Sequence, residues 1–225
     1  GDKVTAEALR AAPIKDVYAM GFGSDLHVKD WQPPRIIADD IVVAKEGLAA
    51  EFASQESFNA VPIMTGTNRD ETKLFNILDD EMTNWQLGMI PEARDPDFYD
   101  AVSEYQSRMW RVNAVDRPAQ LMTAAGHDDI YAYRFDWDEA GTAFGADFAQ
   151  LFGAAHSLEI PFLFGQFRFL GDADKWIFTE ENEPGRLELS AAMMGYWAEF
   201  ARNGKPGKGG SDDLPQWQAW SNDAQ

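Results

Sequence analysis

Apolar residues along the 225-residue chain fall into short runs and helical stripes, with no run of 18 that could cross a membrane. The run VPIMTG (61–66) is short, apolar and closed by glycine, which predicts a buried strand, and the polar loop TNRDET (67–72) follows it directly. DIYAYRFDW (129–137) alternates and is rich in aromatics, the pattern of a second strand. DPDFYDAVSEYQSRMW (95–110) predicts a helix capped by Asp95 with Pro96 in its first turn. Phe98, Val102, Tyr105 and Met109 give it one apolar face, the kind of stripe that turns toward a core.

DRPAQLMTAAG (116–126) predicts another helix, stopped by Gly126. The most periodic segment is RLELSAAMMGYWAEFARNG (186–204), where Leu189, Met193, Tyr196, Trp197 and Phe200 share a face and Gly204 ends the helix. Upstream, TAEALRAAPIKDVYAM (5–20) reads as a helix interrupted at Pro13, 21–40 as a loop with QPP at 32–34, and DDIVVAKEGLAAEF (39–52) as a short strand or turn leading into a helix. The Gly- and Pro-rich tail carries Trp217 and Trp220, expected to pin it to the body.

Strands alternating with helices define an α/β class. Two strands are too few for a stable open sheet, so the chain reads as part of a larger fold. There is no internal repeat and no linker, so residues 1–225 are expected to be one portion of a single domain.

Composition then removes several functions. With 38 acidic against 19 basic residues and a net charge of −19, the surface repels phosphate backbones and excludes nucleic-acid binding. The absence of cysteine excludes disulfides, thiolate catalysis and cysteine metal sites, and favours a bacterial source. Three scattered histidines offer no metal-ligand spacing, and there is no phosphate cradle or nucleotide fingerprint, so no cofactor is expected. The opening GDKVTAEALR has no apolar leader region, which leaves the compartment open.

The candidate chemistry lies just beyond the two strands. Asp70 and Glu71 follow the first, and His156, within GAAHSLEIPFLFG (153–165), comes after the second, 85 positions beyond Glu71. Ligand sites of open α/β sheets lie beyond the carboxyl ends of strands. Acid before histidine is the chain order of the last two members of an α/β-hydrolase triad. On spacing alone, a solvated or hydrogen-bonded loop histidine is the favoured reading.

The wording of these segments adds a resemblance. VPIMTGTNRDETKLF and GAAHSLEIPFLFG are similar to two signatures of the type B carboxylesterase family, that of the para-nitrobenzyl esterases and cholinesterases. ALRAAPIKDVYAM, YAYRFDW and MMGYWAEFARNGKP…LPQWQAW resemble the same family in the same order, so the likeness covers nearly the whole chain. It implies the C-terminal part of an α/β-hydrolase fold, with a mostly parallel central sheet flanked by helices. It further implies a serine esterase needing no cofactor, with Glu71 as triad acid and His156 as triad base.

The family usually has glycine where Thr72 stands, which raises the question of that loop's backbone angles. None of the serines at 24, 54, 57, 103, 107, 157, 190, 211 and 221 lies in the family's G-x-S-x-G elbow. Ser157 adjoins the histidine, but neighbouring side chains on a loop diverge. The resemblance therefore implies that nucleophile and oxyanion hole belong to an N-terminal portion, carried on a separate chain or lying outside this sequence. The expected partners are that portion and a small-molecule ester. Because family members without a triad serve in adhesion and binding, a non-catalytic binding protein is the alternative function.

Around these two, Glu159 reads as a carboxylate bracing the histidine loop, or tuning it. Asp70 reads as a turn residue and Arg69 as the partner of an acidic neighbour. Phe75, Leu151 and Phe152 flank the catalytic loops as acyl-pocket lining or as plain core. His27 and His127, in polar surroundings, read as surface histidines.

Overall fold

The computed structural model describes residues 6–16 and 38–223, so QPP at 32–34 and His27 lie outside the described residues. It divides into two units, Gly1–Gly47 and Leu48–Gln225. In the first, helix α1 (Ala6–Ala11) stops ahead of Pro13, and a helical turn resumes after it, with the Asp16 N–H donating to the Pro13 carbonyl at 2.9 Å. Of the strand or turn read for DDIVV, the turn forms. The Asp39 carboxylate accepts the N–H groups of Ile41, Val42 and Val43 at 3.0, 2.9 and 3.3 Å, so the backbone satisfies itself locally.

In the second unit, helix α2 (Leu48–Glu51) leads to strand β1 (Ile63–Asn68). After a turn at 69–72 come helix α3 (Lys73–Asn76) and a hairpin of β2 (Thr83–Gln86) and β3 (Ile90–Ala93). Helix α4 (Pro96–Arg111) runs through a π-helical segment, Val112–Asp116, straight into α5 (Arg117–Ala124). Asp116 therefore lies inside a continuous helix and caps nothing, a difference from the two separate helices expected. Asp95 does cap α4, its carboxylate accepting the Phe98 N–H at 3.1 Å.

Strand β4 (Ile130–Phe135) pairs with β1 in parallel, Ile63 opposite Ile130 through Asn68 opposite Phe135. A small hairpin, β5 (Thr142–Ala143) and β6 (Ala146–Asp147), feeds α6 (Phe148–Phe152). Then come α7 (Glu159–Phe164), α8 (Asp174–Ile177) and the long α9 (Glu183–Asn203), closed by left-handed Gly204. The α/β class is thus present as a parallel pair between helical layers. Among the described residues β1 and β4 pair only with each other.

The pleat of β4 separates the two layers. Tyr131 packs edge-on to Phe200, Tyr133 to Trp197 and Trp217, and Phe135 to Phe162, all on the α7–α9 side. Ile130 points the other way, into a cluster with Ala119 and Met122 of α5, against which Phe52, Phe58, Ile63 and Trp220 pack. The tail is pinned as expected: Trp217 sits against Tyr133, Tyr196 and Trp197, and the Trp220 N–H donates to the Ile130 carbonyl at 2.7 Å.

Gly66 lies opposite Tyr133, and a Cβ there would fall inside the Tyr133 ring. The strand needs glycine at that position for close packing rather than for a turn. Gly66→Ala is expected to destabilise the protein by at least about 1–3 kcal/mol, as overpacking of a filled core does. A urea unfolding midpoint equal to wild type would contradict this.

Two expectations are corrected. Most of the apolar face read for α4 turns outward: Phe98, Tyr105 and Met109 are exposed and only Val102 packs against the core, while Tyr99, Ser103 and Ser107 are buried. The buried stripe is the polar one because α4 packs on the polar loop after β1, whose groups need hydrogen-bond partners. His127 is buried rather than superficial. Its Nε2 lies 2.9 Å from the Val61 carbonyl oxygen and its ring packs edge-on to Phe58.

Candidate functional site

Glu71 and His156 meet where the turn after β1 faces the loop between α6 and α7. The Glu71 carboxylate is 5 % exposed and takes three donors. Its Oε1 accepts the Asn68 N–H at 2.8 Å and the Thr67 hydroxyl at 3.0 Å, and its Oε2 lies 2.6 Å from His156 Nδ1. A carboxylate only accepts, so Nδ1 is the donor, and in the neutral form of the imidazole Nε2 presents a lone pair. Among the described residues, Nε2 has no hydrogen-bond partner. The imidazole is partly open to solvent, with 39 % of the side chain exposed.

The two loops are laced together by backbone. The Asp70 N–H donates to the Ala154 carbonyl at 3.0 Å, the Ala154 N–H returns to the Asp70 carboxylate at 3.0 Å, and the His156 N–H donates to the Glu71 carbonyl at 3.3 Å. Such approach requires small residues: Ala154 and Ala155 are fully buried, and a Cβ on Gly153, whose φ is +49°, would collide with the Asp70 carboxylate. Ser157 sits in the left-handed region at φ +66°, an uncommon conformation for a side-chain-bearing residue.

Other charges brace this frame. Asn68 Nδ2 donates to both the Ala155 carbonyl, at 2.6 Å, and the Glu159 carboxylate, so Glu159 reaches the histidine loop through Asn68. Asp70 is more than a turn residue: it ion-pairs with Arg69 at 2.8 Å, and Arg69 bridges on to Asp138 at 2.7 Å. Partial burial opposes the Arg69 charge, but hydrogen bonds to Asp138 and Asp70 outweigh it and raise its pKa above the ordinary value. Burial, with lesser contributions from Glu159 and Glu71, pushes Tyr133 up to about 12 and keeps it a neutral wall beside the acids.

Helix α4 holds the acid loop from beneath. The Tyr99 hydroxyl donates to the Leu151 carbonyl at 2.7 Å and approaches the Lys73 carbonyl at 3.2 Å, joining α6 to α3. Thr72 Oγ1 donates to the Ser103 carbonyl at 3.1 Å and lies 3.2 Å from Ser107 Oγ, which also accepts the Thr72 N–H at 3.2 Å. Thr72 has φ −81° and ψ −12°, an ordinary helical conformation, which answers the question of its replacing glycine. Thr72→Val, which keeps the shape and removes the hydroxyl, is expected to cost about 1–2 kcal/mol by stranding polar partners. Unchanged chemical denaturation would contradict that role.

The three apolar residues flanking these loops separate. Leu151 and Phe152 are buried in the main core, so for them the core reading applies. Phe75 is half-exposed, with its ring centroid 5.6 Å from that of His156. Trp110, which the sequence reading did not single out, lies 5.2 Å from His156 and stacks on Phe75. Its spacing signalled it: Tyr99, Ser103, Ser107 and Trp110 recur at +4, +8 and +11 on one face of α4. Among the described residues, no group of three or more His, Asp or Glu side chains could hold a metal ion, and no helix is long and apolar enough to cross a membrane.

A parallel α/β pair bearing a carboxylate–imidazole couple beyond its strand ends has the form of part of a hydrolase. A model of the carboxylesterase family matches residues 77–225, and the chain belongs to that family. The para-nitrobenzyl esterase of Bacillus subtilis (strain 168) is 27% identical over 228 residues, covering 96% of this chain and 40% of that protein. Human cocaine esterase is 46% identical over 72 residues, 32% of this chain and 11% of that protein. A solved structure of PNB esterase superposes at a TM-score of 0.48 and 22% identity, over 76% of this chain and 34% of that one. The chain thus spans well under half the length of these relatives.

Proposed function

We propose that this chain is the acid- and base-bearing part of a serine carboxylesterase, and that the nucleophilic serine lies outside these 225 residues. The observation that carries the reading is the 2.6 Å contact between Glu71 and His156 Nδ1, which leaves Nε2 unpaired among the described residues. The family supports ester hydrolysis as the reaction. The lack of any G-x-S-x-G in the sequence supports a serine from elsewhere in the protein.

In this mechanism Nε2 of His156 takes the serine hydroxyl proton as the serine oxygen bonds to the ester carbonyl carbon. Glu71 fixes the tautomer and stabilises the imidazolium. The imidazolium returns the proton to the leaving alcohol as the ester C–O bond breaks, leaving an acyl-enzyme. Water, deprotonated by Nε2, attacks the acyl carbon, and the serine departs with the proton. Asn68, Thr67 and the paired loops hold the acid and base without touching substrate. The 225 residues alone are expected to be inactive, since they hold the base without its nucleophile.

The test is hydrolysis of p-nitrophenyl butyrate by the complete protein and by the 225-residue chain alone. Turnover by the complete protein only supports the reading. Equal turnover by the isolated chain would overturn the external serine. No turnover by either would favour the non-catalytic binding reading.

A further inference from the structure

The face of His156 not engaged by Glu71 is flanked by two large rings. Trp110 and Phe75 stack on each other with centroids 6.2 Å apart and planes 17° from parallel, and both rings contact the imidazole. Trp110 is 37 % exposed and Phe75 48 % exposed, beside an imidazole whose Nε2 has no partner among the described residues. Phe75 comes from α3, one turn beyond the acid, and Trp110 from the end of α4, one residue before its last.

The helix explains why Trp110 reaches this place. Ser103 and Ser107 clamp Thr72, and Trp110 lies three residues past Ser107 on the same face, so the bonds that seat the acid loop also aim the indole at the histidine. The π-helical segment Val112–Asp116 follows at once. It changes the phase of the helix, so that downstream Ala119 and Met122 face the sheet instead.

We propose that Trp110, seated on Phe75, is a specificity-determining residue that selects esters bearing a planar aromatic group next to the scissile bond. This rests on the esterase reading above. Nε2 of His156 must lie within hydrogen-bond reach of the reacting oxygens, so whatever flanks the imidazole flanks the ester. A flat apolar wall there gains most from a ring, which stacks or packs edge-on, and less from a flexible alkyl chain of similar area. Covering these rings with another segment of the protein is the rival outcome.

The experiment compares kcat/KM for ethyl butyrate, benzyl butyrate and ethyl phenylacetate, measured by pH-stat on the complete protein and its Trp110→Ala, Trp110→Leu and Trp110→Phe variants. The ratio of an aromatic ester to ethyl butyrate is expected to fall roughly ten-fold in Trp110→Ala and Trp110→Leu, and to stay near wild type in Trp110→Phe. Trp110→Leu keeps apolar bulk without a ring, so a fold that tolerates only large residues still leaves the question answered. Loss confined to benzyl butyrate places the ring on the alcohol side, and loss confined to ethyl phenylacetate on the acyl side; either supports the proposal. Unchanged ratios in Trp110→Leu would overturn it while leaving the esterase reading intact. A wild-type protein that hydrolyses none of the three esters would overturn both.

Discussion

Replacing His156 by alanine in the complete protein is expected to lower kcat for ester hydrolysis by on the order of 10⁴-fold or more, as removal of a triad base does elsewhere. The argument is geometric. Among the described residues no other imidazole stands near Glu71: His127 is committed to the Val61 carbonyl and the Phe58 ring, ahead of the strands rather than beyond their ends. Among the described residues, none can therefore replace Nε2 as proton acceptor. Fold should survive, because His156 is partly exposed and its loop is held by Asp70, Ala154, Asn68 and Glu159 rather than by the imidazole. Steady-state kinetics with p-nitrophenyl butyrate, alongside a thermal melt, checks both parts. A variant within ten-fold of wild type would remove His156 from the chemistry.

Glu71→Gln is expected to be nearly as severe, with kcat down by roughly 10³–10⁴-fold, for a different reason. Two donors, the Asn68 N–H and the Thr67 hydroxyl, converge on Oε1. Only the amide oxygen of glutamine can accept them, so its NH₂ group must turn toward His156 Nδ1. That stabilises the tautomer with the proton on Nε2, which cannot take a proton from serine. The rate therefore falls while the geometry holds, and ¹⁵N NMR of the imidazole should report the tautomer change. Near-wild-type kcat, or an unchanged tautomer, would contradict the account of Glu71.

The parts of the molecule legible in the sequence were those where one physical signal dominated. Val61–Gly66 and Asp129–Trp137 read as strands because runs of apolar and aromatic residues have few other uses, and both strands formed within a few residues of the expected bounds. Asp95 and Gly204 marked helix ends through local chemistry that tertiary packing does not override. Glu71 and His156 stood out through the wording of their loops, since periodicity cannot join residues 85 apart.

Helix α4 misled because its amphipathicity has two sides. Phe98, Tyr105 and Met109 form the greasier stripe, yet the turn and helix α3 beneath α4 offer Thr72 and Asn76, which Ser103, Gln106 and Ser107 satisfy. The preference of buried polar groups for partners outweighed the preference of apolar ones for burial. His127 was invisible for a related reason. Its neighbours in sequence are polar, but its neighbours in space, Phe58 and Val61, come from 66 or more residues away. Trp110 shares a face of α4 with Tyr99, Ser103 and Ser107, so its place follows only once that face, and not the apolar one, is the face turned inward.

The central claim, that this chain's acid and base serve a serine located elsewhere in the protein, is tested most directly by finding where a fluorophosphonate bonds. The complete protein would be labelled, digested and read by peptide mass spectrometry, with His156→Ala as the comparison. The account predicts one labelled serine, outside these 225 residues, with labelling slowed strongly in His156→Ala. A label on Ser157 or any other serine of this chain, or labelling equally fast without His156, would contradict it.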